Sequence, residues 1–186
     1  MLIILTGKSG SGKDTILKKL CTCVHCERFV TLTTRSMRVG EIDGLDYFFT
    51  TNDRFLSYID ADRLIEYYCY KTTIDGKQEE YYYGSPKKTL EPNKNYVIIL
   101  DPQGVAAFIK HYGRDVCKVI SIEASDEIRH SRASSRGSMT TEEWENRLKE
   151  DERKFSDDFI EAYVDYRIDN SGILDDAVCR ICNVLT

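Results

Sequence analysis

Residues Gly7 to Thr15 read GKSGSGKDT, and no other stretch constrains this chain as tightly. The segment fits the pattern G-x-x-x-x-G-K. It follows the apolar run Leu2 to Leu5, as the loop after a buried parallel strand would. Behind it, Ile16, Leu17, Leu20 and Val24 recur at helical spacing. A strand, a glycine loop and a helix in that order predict a phosphate-binding loop. Gly7, Gly10 and Gly12 allow the tight turn. The N–H groups of the loop, Ser9 and Ser11 included, then converge on a polyphosphate at a helix N-terminus. Lys13 is placed to reach the β- and γ-phosphates of ATP. The rival, a glycine-rich turn that binds nothing, accounts for neither the lysine nor the flanking pattern.

One position departs from the motif. The residue after the lysine is normally Ser or Thr, whose hydroxyl binds magnesium. Here it is Asp14, with Thr15 next. The carboxylate has three open roles: holding Mg²⁺ directly or through water, capping the helix, or weakening nucleotide binding by repulsion. The magnesium role is the expectation carried forward.

The rest of the chain continues the alternation. Phe29 to Leu32 predicts a second short strand, followed by the polar loop TTRSMRVGEIDG. Tyr47 to Phe49 reads as extended, and Thr51 or Asn52 as the cap of a helix carrying Phe55, Ile59 and Leu64. Ile65 to Lys71 alternates, Asp75-Gly76 signals a hairpin, and Glu80 to Tyr83 is the return strand. Tyr96 to Leu100 and Val116 to Ile122 predict buried strands, with a helix bearing Val105, Phe108 and Ile109 between them. Ser125 caps a helix running to Arg136, broken at Gly137. Thr140 with Glu143 forms a capping box for a helix whose face is Trp144, Leu148 and Phe155. Tyr166 to Ile168 and Leu174 to Leu185 predict the last strand and helix. This is an α/β pattern: a three-layer P-loop fold around a central parallel sheet, with a small, mostly antiparallel insertion. Ligands are expected at the carboxyl ends of the parallel strands.

Composition excludes several classes. A net charge of -5 argues against a general nucleic-acid binder. The opening run MLIIL is too short for a signal-peptide core or a membrane span, so the expectation is a cytoplasmic chain without a membrane partner. Seven cysteines suit reduced thiols better than a disulfide framework. Cys21, Cys23, Cys26 and His25 lie far from Cys179 and Cys182, outside the short spacings of zinc motifs.

A phosphate loop does not name the acceptor of the phosphoryl group. The runs TTRSMRVGEIDGLDYFF, LIEYYCY, YYYGS and LDPQGV do, because together they closely resemble guanylate kinases over nearly the whole chain. That resemblance implies an ATP-dependent kinase of GMP or dGMP using Mg²⁺. It implies a core of residues 1–32, 89–124 and 157–186, an NMP-binding region 33–88 and a helical lid 125–156. The chemistry is apt. Guanidinium forks grip phosphate through paired N–H bonds, and by resemblance Arg35, Arg38, Tyr47 and Tyr83 bind the GMP phosphate. The rival is a pair of solvated arginines bonded to Glu41 or Asp46. Guanine offers N1–H and N2–H₂ donors beside an O6 acceptor. By resemblance Glu66 and Asp101 receive the donors, Ser85 faces O6, and Thr31 stands where the family usually has serine. The rivals are a surface carboxylate for Glu66 and a helix cap for Asp101. Two features depart from the family pattern: Ile99 replaces its usual aspartate, and KTTIDGKQEEYYYGS is longer than its counterpart.

The resemblance also implies lid arginines, Arg132, Arg136 and Arg147, closing over ATP about a Gly137 hinge, and an adenine contact from Asn170. Lys13, Arg35, Arg136 and Arg147 would then carry catalysis. A phosphoryl-transfer transition state needs fixed cations more than an acid or base. The run KEDERK reads as a solvated face with Glu150 and Lys154 paired at i, i+4. Rival functions are a kinase for another nucleoside monophosphate or a ribose bisphosphate, and a non-catalytic guanylate-kinase-like binding module.

Overall fold

The computed structural model describes residues 1–23, 26–74, 77–135 and 141–185. The chain divides into two compact units, residues 1–27 with 92–186 and residues 28–91.

The first unit is built on β1 (Leu2–Thr6), whose five side chains are all buried. Its sheet runs in the order β2 (Cys26–Arg28), β7 (Asn95–Ile99), β1, β8 (Cys117–Glu123), β9 (Tyr166–Asp169). Strand β1 pairs in parallel with β7 and β8, and β8 with β9. Ile3 and Leu5 point into a core shared with Ile16, Leu17 and Leu20 of α1 (Lys13–Cys23) and Ala177, Val178 and Ile181 of α7 (Leu174–Leu185). Leu2 and Ile4 are equally buried, and strand alternation gives them the opposite face. Helix α3 (Pro102–Tyr112) packs on β1 and β8. Each such aliphatic side chain taken out of water stabilises the unit by roughly 1.5–3 kcal/mol. A sheet buried on both faces explains why these strands read as continuous apolar runs.

The second unit holds a four-stranded sheet in the order β4 (Phe48–Phe49), β3 (Leu32–Thr33), β6 (Lys77–Pro86), β5 (Leu64–Ile74). Strands β3 and β5 are antiparallel to β6, and β4 is parallel to β3. Helix α2 (Asn52–Asp60) is capped by Thr51, whose hydroxyl accepts the Arg54 N–H. Phe55 of this helix packs with Leu32 and Leu64.

Several expectations need correction. The strand expected at 29–32 is divided: the ladder of the first sheet ends at Arg28 and that of the second begins at Leu32. Leu64 opens β5 and does not belong to α2. The helix stops at Asp60 and the chain turns through Asp62 in the left-handed region, φ 49°. Helix α4 (Asp126–Ser134), capped by Ser125, and α5 (Thr141–Lys154) are followed by α6 (Asp157–Tyr163), which periodicity did not reveal. Seven residues are too few to show a period, although the Ser156 hydroxyl caps the first turn as a helix start requires. Asp75-Gly76, Arg136, Gly137 and Thr140 lie outside the described residues, as does the Glu143 side chain. No helix among the described residues is long and apolar enough to cross a membrane. All seven cysteines are free thiols. Burial pushes those of Cys26 and Cys117 up to about 11, so they stay protonated at neutral pH. No cluster of three or more metal-ligating side chains occurs among the described residues.

Candidate active site

The phosphate loop leaves the carboxyl end of β1 and enters α1. Close approach fixes all three of its glycines, Gly10 and Gly12 among them. Gly10 sits at φ 79°, and a Cβ there would meet the Arg129 carbonyl oxygen at 2.6 Å. Gly12 sits at φ 95°, and a Cβ there would meet the Asn170 amide at 2.4 Å. Both φ values are costly for side-chain-bearing residues. Lys13 folds back over the loop, its ammonium donating to the carbonyls of Gly7 at 2.6 Å and Lys8 at 3.0 Å. Asp14 and Thr15 are exposed on the first turn of α1. Asp14 makes no cap there; it adds negative charge at the positive end of the helix.

Asn170 follows β9 and is buried behind the loop. Its side-chain amide donates to the Ser11 carbonyl at 2.8 Å, and its own carbonyl accepts from Arg132 at 2.8 Å. The Ser11 hydroxyl and the Asn170 Oδ1 are both buried without a hydrogen-bond partner. Two orphaned polar atoms at one loop are unusual in a native interior. Arg132 also reaches the Ser11 carbonyl, at 3.4 Å. Arg147, on α5, is exposed.

Two members of this site escaped the sequence reading. Arg129 of α4 and Asp151 of α5 form a buried ion pair at 2.7 Å beside Ser9. Asp151 lies within KEDERK, so that run is not uniformly solvated. Glu150 and Lys154 do pair, at 2.9 Å, but Asp151 turns inward. A signal was available: Asp151 sits seven residues after Trp144, three after Leu148 and four before Phe155, on the apolar face of the helix.

Asp101 belongs to the first unit and is the N-cap of α3. One carboxylate oxygen accepts the Gly104 N–H at 3.0 Å, and the other faces the Lys154 ammonium at 3.4 Å.

The second unit gathers most of the expected acceptor residues. Ser85 on β6 and Glu66 on β5 are register partners, and the Ser85 hydroxyl donates to Glu66 Oε1 at 2.5 Å. Ser85 is fully buried. Two positions along in register, Tyr83 stacks on Tyr68 with ring centres 5.2 Å apart and meets Tyr47 edge-on at 6.1 Å. The Arg35 guanidinium lies 5.7 Å from the Tyr47 ring centre and 5.8 Å from that of Phe49. Thr31 is half-buried, and its carbonyl accepts the Phe48 N–H. Arg38 is exposed.

Arg35 is not solvated, but it does pair with Glu41, through two N–H bonds of 3.1 and 2.7 Å. Asp46 pairs instead with Arg28. The Arg35 bonds hold the Glu41 carboxyl below its ordinary range, with the Arg38 N–H assisting and burial opposing. Folding therefore gains from ionised Glu41 above the unfolded carboxylate value of ~4.3. The gain is lost as pH falls through the lowered folded value. Glu41→Gln is expected to reduce unfolding free energy by about 1–3 kcal/mol at neutral pH. Urea titrations of both proteins across pH should show the gap closing below ~4.3.

The guanylate kinase family model matches residues 1–186. The chain is 33% identical over 191 residues to the guanylate kinase of Clostridium perfringens (strain 13 / Type A), covering 100% of this chain and 82% of that protein. It is 33% identical over 190 residues to the guanylate kinase of Wolbachia pipientis wMel, covering 100% and 89%. The crystal structure of guanylate kinase from Anaplasma phagocytophilum superposes with a TM-score of 0.69 at 28% identity, covering 100% of this chain and 84% of that one.

Proposed function

The chain belongs to the guanylate kinase family, and on that premise we propose that it transfers the γ-phosphoryl group of ATP to GMP or dGMP. The observation that carries the acceptor assignment is the Ser85–Glu66 pair on neighbouring strands, two residues in register from Tyr83, which meets Tyr47 edge-on. A carboxylate accepts from guanine N1–H and N2–H₂, and a hydroxyl donates to O6. Adenine would present the opposite polarity and leave those buried groups unpaired, which such sites reject by roughly 10⁴-fold. Asp101 adds a second carboxylate and Thr31 a second hydroxyl. The nucleotide phosphate falls to Arg35, Arg38, Tyr47 and Tyr83. Arg35 must exchange its hold on Glu41 for that phosphate.

ATP is assigned to the loop Gly7–Thr15, with Arg132 and Asn170. The two unpartnered atoms of Ser11 and Asn170 suit a site completed by a ligand or water. Asp14 and Thr15 offer oxygen donors, the ligand type Mg²⁺ takes, and that ion would neutralise charge on the β- and γ-phosphates. Lys13 and Arg35 supply fixed cations toward the charge that develops on the transferring phosphoryl group. Arg136 and Arg147 join them from the region assigned as the lid, 125–156, while 33–88 binds the nucleoside monophosphate. Purified protein with Mg-ATP and, separately, GMP, dGMP, AMP, UMP, CMP and dTMP tests the proposal through ADP release. Turnover with the guanine nucleotides alone is expected. Turnover with a different base would overturn the roles of Glu66, Ser85 and Asp101.

A further inference from the structure

The backbone of Ser9 is gripped on both sides by one buried ion pair. Arg129, 2% exposed, donates through Nε to the Ser9 carbonyl at 2.8 Å. Asp151, 7% exposed, accepts the Ser9 N–H at 2.8 Å and the Ser9 hydroxyl at 3.3 Å. The two clamp residues bond each other at 2.7 Å. Arg129 is held in turn by Asp126 at 2.6 Å, and its guanidinium carbon lies 5.6 Å from the Trp144 ring centre. Every polar atom of Ser9 is thus tied to helices α4 and α5.

We infer that Arg129 and Asp151 are positioning residues for the phosphoryl donor, setting the phosphate loop in its nucleotide-binding shape before ATP arrives. The inference rests on the assignment of that loop to ATP. Its physical basis is direction. A buried ion pair is a weak source of stability compared with apolar packing. It does fix the orientation of the two peptide units that flank Ser9, because it satisfies the N–H of one and the C=O of the other at once. Loop amides act on a phosphate only when they converge, and a misplacement of about 1 Å can cost 10²-fold in rate. Gly10 extends the same contact, since its Cα lies against the α4 backbone at Arg129. The clamp residues come from α4 and α5, so the helices that follow β8 and the donor site are mechanically one piece.

The test is calorimetric titration of Mg-ADP into the wild type, Asp151→Asn and Arg129→Met, with steady-state KM values for ATP and GMP and a thermal melt of each. Asp151→Asn keeps shape and removes charge, so it carries the test if Arg129→Met fails to fold. The Mg-ADP dissociation constant and the ATP KM are expected to rise about tenfold, the worth of one charge-assisted hydrogen bond. The GMP KM should stay within about twofold, which general destabilisation would not select. Arg129→Lys should recover part of the loss. If the variants melt earlier yet bind Mg-ADP as the wild type does, the clamp is structural only and the inference fails. If the wild type itself does not bind Mg-ADP, the assignment of the loop has failed instead.

Discussion

Lys13→Met is expected to lower kcat by about 10³-fold, the scale of removing one preorganised donor from a developing anion. Methionine keeps an apolar stem of similar length, so packing along the loop is conserved. What it removes is the ammonium that now bonds the Gly7 and Lys8 carbonyls. Those carbonyls lie at the mouth of the loop, so the charge waits where the β- and γ-phosphates are assigned. The loss should appear in kcat and in the ATP KM, with the GMP KM unchanged within about twofold. Initial rates under saturating GMP, with varied Mg-ATP, measure it. A variant retaining more than about a tenth of wild-type kcat would remove Lys13 from the transfer step.

Glu66→Gln should be nearly as damaging to the other substrate. The carboxylate accepts the Ser85 hydroxyl at 2.5 Å and is assigned the guanine donors as well. An amide in its place offers N–H groups toward guanine N–H groups, leaving buried donors facing each other. The expected loss in kcat/KM for GMP is about 10³-fold. The ATP KM should barely move. Discrimination between GMP and AMP should narrow, because the polarity that excluded adenine is weakened. Competition assays containing both nucleotides read this directly. Unchanged discrimination would mean that Glu66 does not face the base.

Much of this architecture could be read from the residues. The strands of the first sheet are buried on both faces, so Leu2 to Leu5 and Tyr96 to Leu100 carry unbroken apolar runs that no turn would. The phosphate loop announces itself because only glycine fits beside the Arg129 carbonyl and the Asn170 amide. Asp75-Gly76 between two aromatic-rich runs predicted a hairpin, and the register of β5 on β6 brings Glu66 to Ser85. What stayed hidden has a common cause. Charge runs hide single buried residues: Asp151 shares its six-residue run with five charged neighbours, and only its helical phase gives it away. Arg129 gave no signal, because its burial depends on a helix twenty-two positions further on. The division of the strand at 29–32 was equally illegible, since local propensity does not say which sheet claims a residue. Glu41 was visible as a rival partner for Arg35. The structure bonds the two, at 2.7 Å.

Movement of the γ-phosphoryl group from ATP to a guanine monophosphate is open to direct observation. Phosphorus NMR of the protein with Mg-ATP and GMP follows every phosphate at once. ADP and GDP are expected to appear at equal rates, without inorganic phosphate, and neither is expected when GMP is omitted. Release of inorganic phosphate without GDP would make the protein a hydrolase. GMP bound with no transfer would contradict the account altogether.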